Sequence, residues 1–131
     1  IAMREADVAI WTREPDQPEL IRRPLFTAKV RAMASTQYVR RFGLPETLAD
    51  LEGGSHRIIS YSGQPSQHLP AITWLETVGR EGVEPRHAAF RVNSVVAIKH
   101  AIMAGVGVGM IPDYMTEQET DLVHVLTKVE F

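Results

Sequence analysis

The chain has 131 residues, which is the size of a single domain. Its 14 lysines and arginines against 16 aspartates and glutamates give a formal net charge of −2, and no basic stripe is present, so the chain by itself is a poor nucleic-acid binder. It contains no cysteine, which excludes disulfides and thiolate chemistry and fits a reducing compartment.

The chain begins with a short apolar run over residues 7–11, which is predicted to be a buried strand. Side chains at the carboxyl end of such a strand commonly line the crevice of an open α/β sheet. Thr12 and Arg13 are therefore candidate ligand contacts, although a solvated loop is an equally good interpretation. Trp11 is more typical of a core or interface position than of a stacking platform.

Two extended runs and a helix follow. Residues 19–26 are predicted to form an edge strand, because Arg22-Arg23-Pro24 interrupts the run. Residues 29–34 are predicted to form another strand. Ser35 is a good helix cap, and the helix predicted after it spans residues 36–42 with its two arginines outward.

The middle of the chain alternates helices with a strand. A short helix is predicted over residues 44–51, a strand over 57–61 and a polar loop over 62–67. A further helix is predicted over residues 70–78, because Pro70 has the fixed φ that suits the first helical position.

The last third of the chain has the clearest pattern. After a weakly alternating strand over residues 87–92, Asn93 or Ser94 caps a helix predicted to run from residue 95 to 103. Gly105 ends that helix, since glycine adopts the left-handed conformation without a Cβ penalty. Residues 106–111 are apolar or glycine throughout, which predicts a strand covered on both faces.

Pro112 closes this strand, because proline cannot donate a hydrogen bond to a neighbouring strand. A short helix or turn over residues 113–120 and a final strand over 122–126 are predicted to follow. Strands and helices thus alternate along the chain. This alternation predicts an α/β domain with a largely parallel or mixed sheet.

Two features of the last third bear on function. The helix start at Asn93 and Ser94 offers N–H groups and a positive dipole end, which suit a carboxylate or similar anion. For a helix taken at random, an ordinary cap that serves only its own helix is the better interpretation. The glycines of Gly105-Val-Gly-Val-Gly109 follow a helix and open a strand, which is the reverse of a phosphate-binding loop. We reject a nucleotide site there and expect the glycines to allow close backbone approach.

A search for catalytic groups favours a binding protein over an enzyme. The five histidines include no pair at the helical spacing of a zinc site, and without cysteine a structural zinc is not expected. There is no Gly-x-Ser-x-Gly nucleophile elbow, and the aspartates and glutamates form no pair with assignable acid and base roles. We therefore expect no catalytic residue, no metal and no cofactor.

The two ends of the chain lead us to expect a fragment of a longer protein. It starts at Ile1 instead of a methionine, and it stops at Phe131 just after an apolar run. No apolar run is long enough to span a bilayer, and no basic-then-apolar leader opens the sequence. Together with the lack of cysteine, these features lead us to expect a cytoplasmic location.

Four segments match the pattern of one family, in the expected order. They are Asp7-Val-Ala-Ile10 with Leu25; Ala34-Ser-Thr-Gln-Tyr38 with Gly43-Leu-Pro45 and Leu48-Ala-Asp-Leu51; Arg57-Ile-Ile-Ser-Tyr61 with Trp74; and Val92-Asn-Ser94 with Ala104-Gly-Val-Gly-Val-Gly-Met-Ile-Pro112. Each motif alone is weak, but four in register over nearly the whole chain are specific. On these motifs the chain resembles the effector-binding domain of LysR-type transcriptional regulators.

The resemblance implies an α/β fold like that of type 2 periplasmic binding proteins, with two lobes, two crossing segments and a ligand in the cleft. The chain would supply mainly the second lobe, over about residues 35–111. Residues 1–34 and 112–131 would be first-lobe and crossing segments, with 25–34 as the first crossing. The family's DNA-binding helix-turn-helix and the rest of the first lobe are not in this sequence.

The resemblance also implies where a ligand would bind. Family ligands are commonly contacted by the turn after the first-lobe strand, by the loop that opens the last helix of the second lobe, and by the crossings. The matching positions are Trp11, Thr12, Arg13, Ser35, Asn93 and Ser94. The family often has a basic residue where this chain has Trp11, which hints at an apolar or aromatic component in a small, often acidic, metabolite.

The implied partners are a small-molecule effector such as a carboxylate and further copies of the chain in a dimer or tetramer. The dimer surface would be isologous and would include the helices over residues 36–42 and 93–103. DNA would be bound only through the helix-turn-helix domain, and no membrane partner is expected. Two alternatives stay open: an extracytoplasmic solute-binding protein of the same fold, and a small α/β enzyme with its nucleophile, metal or acid–base pair in the cleft.

Overall fold

The computed structural model describes residues 7–10, 16–62 and 70–130. Along these residues five strands alternate with three α-helices and three 3₁₀ segments. The strands are β1 Val30–Ser35, β2 Ile59–Tyr61, β3 Phe90–Val92, β4 Gly109–Pro112 and β5 Leu122–His124. The α-helices are α1 Thr36–Phe42, α2 Trp74–Thr77 and α3 Val95–Met103, and the 3₁₀ segments are Leu48–Gly54, Pro70–Thr73 and Asp113–Met115.

The strands form a three-stranded sheet in the order β4-β1-β5 and a two-stranded sheet of β2 and β3, and an isolated bridge joins the two in the overall order β3-β2-β4-β1-β5. Strand β1 lies antiparallel between β4 and β5, with Met33 opposite both Gly109 and His124. Strand β2 runs parallel to β3, and a parallel bridge between Ile58 and Val108 places β2 beside β4. The α/β architecture with a mixed sheet is thus confirmed.

Both faces of the sheet are covered. On one face, Ile98 and Ile102 of α3 pack with strand residues that include Met33. On the other face, Tyr38 of α1 and Leu75 of α2 pack in a second cluster with the alternate strand residues. Successive residues of a strand point to opposite faces, so a single buried strand contributes to both clusters. Each fully buried large apolar side chain stabilises the fold by about 1.5–3 kcal/mol.

Two of the predicted helices are shorter or less regular than the sequence indicates. The helix predicted over 44–51 is a 3₁₀ segment that starts at Leu48, because the Asp50 carboxylate accepts the N–H groups of Glu46 at 2.8 Å and Thr47 at 3.0 Å and holds them in a turn. The helix predicted over 70–78 divides into a 3₁₀ segment and α2. The longest described helix, α3, has nine residues, so none of the described helices is long enough to cross a bilayer.

The strands predicted over residues 7–11 and 19–26 are wrong where the structure describes them. Residues 7–10 are irregular, and Val8 and Ile10 are 83% and 79% exposed. Residues 19–26 are likewise irregular and mostly exposed. A strand needs a neighbour that pairs with its N–H and C=O groups, and no described strand pairs with either segment. Apolar content alone therefore does not produce a strand in these places.

Candidate functional site

Three strands of the sheet end at one edge. Because β2, β3 and β4 are parallel, their carboxyl ends meet there, and antiparallel β1 begins there. We call this the carboxyl edge, formed by the residues beside these strand ends: Lys29, Ser62, Asn93, Ser94 and Asp113. Two backbone hydrogen bonds join neighbouring segments, from Ser62 N–H to the Val92 carbonyl at 3.0 Å and from Asp113 N–H to the Lys29 carbonyl at 2.7 Å. In open α/β sheets the ligand crevice lies outside such an edge.

Helix α3 begins at the carboxyl edge, and Ser94 caps it. The Ser94 backbone is extended, and its Oγ accepts the N–H of Ala97 at 3.3 Å. Asn93 is exposed, and the first turn contains no acidic residue. The first N–H groups of a helix lack carbonyl partners within it and lie at the positive end of its dipole. The predicted helix start is confirmed, and ligand contact by Asn93 and Ser94 stays a prediction.

Ser35, another predicted ligand residue, lies at the opposite edge of the sheet. Its Oγ accepts the N–H of Tyr38 at 3.0 Å and so caps α1, and its side chain is 2% exposed. A Cβ built on Gly105, just past the end of α3, would be 3.6 Å from this Oγ. The length of α3, about 14 Å at 1.5 Å per residue, therefore separates Ser35 from Ser94. The structure does not bring these two serines together.

The other three predicted contacts, Trp11, Thr12 and Arg13, lie outside the described residues. The segment just before them, residues 7–10, is described and is exposed. The structure thus gives positions for Ser35, Asn93 and Ser94, and it places only the last two at the carboxyl edge.

A charged cluster around the buried Glu76, which sequence reasoning missed, lies between β2, β3 and α2. The Glu76 carboxylate is buried, its Oε2 accepts the Ser60 hydroxyl at 2.6 Å, and its Oε1 accepts a hydrogen bond from the Arg91 guanidinium. Ser60 and Arg91 are opposite each other in the β2–β3 register. Both carboxylate oxygens have donors and the charges pair, so the cluster fixes α2 to the two strands. No sequence signal points to it, because Glu76 is 15 and 16 positions from its partners.

Metal ligation finds no support in the described ranges. Among these residues, no group of three or more His, Asp or Glu side chains has an arrangement that would hold a metal ion. The predicted lack of a metal and of a catalytic constellation stays an expectation for the chain as a whole.

Comparison with known proteins gives one family. The family model described as the LysR substrate binding domain matches residues 1–129. Two curated relatives, the HTH-type transcriptional regulators CrgA of Neisseria meningitidis serogroups C and B, are each 24% identical over 116 residues, which is 88% of this chain. The match covers 37% of the length of each of these relatives.

Solved structures agree on the fold. The regulatory domain of CrgA from Neisseria meningitidis superposes with a TM-score of 0.70 at 22% identity, covering 90% of this chain and 56% of that one. The regulatory domain of AphB from Vibrio vulnificus superposes with a TM-score of 0.61 at 23% identity, covering 84% and 53%. At these identities the likeness is one of fold.

Proposed function

The chain belongs to the LysR substrate binding domain family, and we propose that it is the ligand-sensing domain of a bacterial LysR-type DNA-binding transcriptional regulator. It would bind a small metabolite, and this binding would change the geometry of a dimer or tetramer. DNA would be bound through a helix-turn-helix domain outside this sequence. The curated relatives, which are named as HTH-type transcriptional regulators, support this proposal over an extracytoplasmic solute-binding protein or an enzyme. A cytoplasmic location follows from a role on DNA.

The observation that carries the site is the Ser94-capped start of α3 at the edge where β2, β3 and β4 end. We propose that Asn93 and Ser94 contact the ligand there. Trp11, Thr12 and Arg13 would contact it from the first-lobe side. Ser35 stays a predicted contact, although its hydroxyl already caps α1 at the other edge. A small carboxylate is the ligand class that a helix start of this kind suits.

The division into lobes stays part of the proposal. The second lobe would occupy about residues 35–111, with 1–34 and 112–131 as first-lobe and crossing segments. The hydrogen bond from Asp113 N–H to the Lys29 carbonyl joins the two proposed crossings side by side. A ligand between the lobes changes their arrangement only if it binds one arrangement better than the other, so its differential affinity limits the regulatory effect.

The test is a thermal-shift screen of the full-length protein that carries this chain against a library rich in small carboxylates. A ligand present at 100 times its Kd should stabilise the folded state by about 2.7 kcal/mol. Ser94→Ala should at least halve the ligand-induced rise in Tm, because it removes a hydroxyl at the proposed contact. Asn93→Ala and Thr12→Val should act in the same direction.

Ser35→Ala is the matched control, because it removes the serine cap of α1 as Ser94→Ala removes that of α3. Each loses about 1 kcal/mol of stability without ligand. If the ligand binds at the carboxyl edge alone, only Ser94→Ala weakens the response to the ligand, whereas a smaller additional loss with Ser35→Ala would support the contact predicted at Ser35. The placement at the carboxyl edge would be overturned if Ser35→Ala reduced the ligand-induced rise in Tm as much as Ser94→Ala does. It would also be overturned if neither variant changed that rise.

A further inference from the structure

A titratable side chain links three elements away from the carboxyl edge. His56 lies between the 3₁₀ segment Leu48–Gly54 and β2, and its Nδ1 is 2.9 Å from the Tyr38 hydroxyl of α1. The same hydroxyl is 3.0 Å from the backbone N of Arg57. Through these two contacts, a buried side chain of α1 holds the residues just before β2 in place.

One arrangement of protons satisfies every donor in this series of hydrogen bonds. The Arg57 N–H can only donate, so the Tyr38 oxygen accepts from it. With the His56 ring neutral and its proton on Nε2, the Tyr38 hydroxyl donates to Nδ1, and both the Arg57 N–H and the hydroxyl then have an acceptor. A proton on Nδ1 would make this nitrogen a donor too, so the Tyr38 oxygen would have to accept from both neighbours and its own proton would lose its acceptor. The set of hydrogen bonds is therefore complete only while His56 is neutral.

We propose that His56 is a pH-sensitive latch, whose protonation at Nδ1 takes the acceptor away from the Tyr38 hydroxyl and loosens the start of β2. The charged and titratable groups that face it in the described structure are Tyr38 of α1, Asp50 of the 3₁₀ segment and Arg57 beside it. The loosening reaches the sheet, because the carbonyl of Arg57 accepts the N–H of Val108 at 2.8 Å and so forms part of the β2–β4 contact.

The electrostatics keep the latch closed at neutral pH. Burial lowers the pKa of His56 below its usual value, and the nearby Asp50 carboxylate opposes that change only in part. Burial also raises the pKa of Tyr38, so the phenol keeps its proton. A histidine with a lower pKa in the folded state binds fewer protons folded than unfolded. The contribution of neutral His56 to the free energy of unfolding is therefore complete above about pH 6.5. It is lost as the pH falls through the folded-state pKa of His56.

Other side chains also change their protonation as the pH falls, and their effects on stability must be distinguished from that of His56. Burial and the Arg31 charge lower the pKa of His124 on β5, so it adds to the loss of stability over the same window. The pKa values of Asp50 and Glu52 are also lowered, but carboxylates give up their stabilising effect only at more acidic pH.

The experiment is hydrogen exchange read by mass spectrometry on the full-length protein, at pH 7.5 and 5.5, with exchange times scaled for the intrinsic rates. Protection of a peptide covering residues 55–60 should fall about fivefold at pH 5.5, the factor for one lost neutral hydrogen bond. A peptide covering residues 97–103 of α3 should keep its protection. The proposal is overturned if residues 55–60 show no loss of protection.

Three variants assign the effect. His56→Asn keeps an acceptor near the position of Nδ1 but does not titrate, so protection of residues 55–60 should become equal at the two pH values. Tyr38→Phe should give low protection of residues 55–60 at both pH values. His124→Asn should retain the fivefold change. A change that persists in His56→Asn, or that disappears in His124→Asn, would contradict the latch.

Discussion

Gly107→Ala is expected to lower the free energy of unfolding by about 3 kcal/mol, the upper end of what overpacking costs. A Cβ at position 107 would lie 2.5 Å from the carbonyl oxygen of Arg57 and 3.0 Å from its carbonyl carbon. That oxygen accepts the N–H of Val108 at 2.8 Å, so it cannot move away without breaking the contact between β2 and β4. Urea denaturation of the variant and the parent measures the difference from the shift in midpoint at an unchanged slope.

Gly109→Ala is the matched control for this prediction. A Cβ there would also be close to its neighbours, 2.9 Å from Cδ1 of Ile102 and 3.1 Å from Cγ2 of Ile98. These atoms are the ends of side chains that can turn, so the expected loss is about 1 kcal/mol. If the two variants lost equal free energy of unfolding, the rigid backbone contact with Arg57 would not be the reason why a side chain is excluded at position 107.

These glycines show how far local sequence patterns predict this fold. The run from Val106 to Ile111 follows a helix and is apolar or glycine throughout, which is enough to predict a covered strand with close neighbours. The structure confirms a buried strand, which begins at Gly109, and adds that Gly107 meets Arg57 just before β2 while Gly109 meets α3. Which neighbour each glycine meets depends on strand order, and strand order is not encoded in a local pattern.

The same limit explains the two errors among the strands. Residues 7–11 and 19–26 have the apolar content of strands, yet residues 7–10 and 19–26 are irregular and exposed. Strand formation requires a partner at the right place in the fold, whereas a helix satisfies its hydrogen bonds within itself. That difference is why helix caps and residue spacing predict α1 and α3 correctly, whereas apolar content predicts the wrong structure for the two segments before β1.

The candidate site was predictable to a similar extent. Ser35 and Ser94 are both recognised as helix caps from the sequence, and both cap helices. Their separation by the length of α3 follows from the antiparallel pairing of β1 with β4, which the sequence does not reveal. The Ser60–Glu76–Arg91 cluster has no local signature, because its members meet only when α2 packs on β2 and β3.

Arg86→Met is expected to lower the free energy of unfolding by about 3 kcal/mol. The Arg86 side chain is buried, and its Nη1 donates to the carbonyls of Leu75 at 3.1 Å and Val78 at 2.6 Å, near the end of α2. Its Nε and Nη2 donate to Glu52 at 3.0 and 2.7 Å. Methionine fills part of the apolar volume but leaves both carbonyls without this donor. Urea denaturation measures the loss.

Arg80→Met separates the two roles of Arg86, because Arg80 pairs with the same carboxylate. Its Nη2 is 2.5 Å from Oε2 of Glu52, and its side chain is 28% exposed. An ion pair in contact with solvent contributes little to stability, so the loss should be much smaller than that of Arg86→Met. Arg80 Nη1 also donates to the carbonyl of Glu84 at 2.7 Å, but this contact is exposed and water can replace it. Since both variants remove one partner of Glu52, the difference between them reports mainly on the buried carbonyls at the end of α2. Equal losses would mean that the ion pair with Glu52, and not the capping of α2, is what Arg86 contributes.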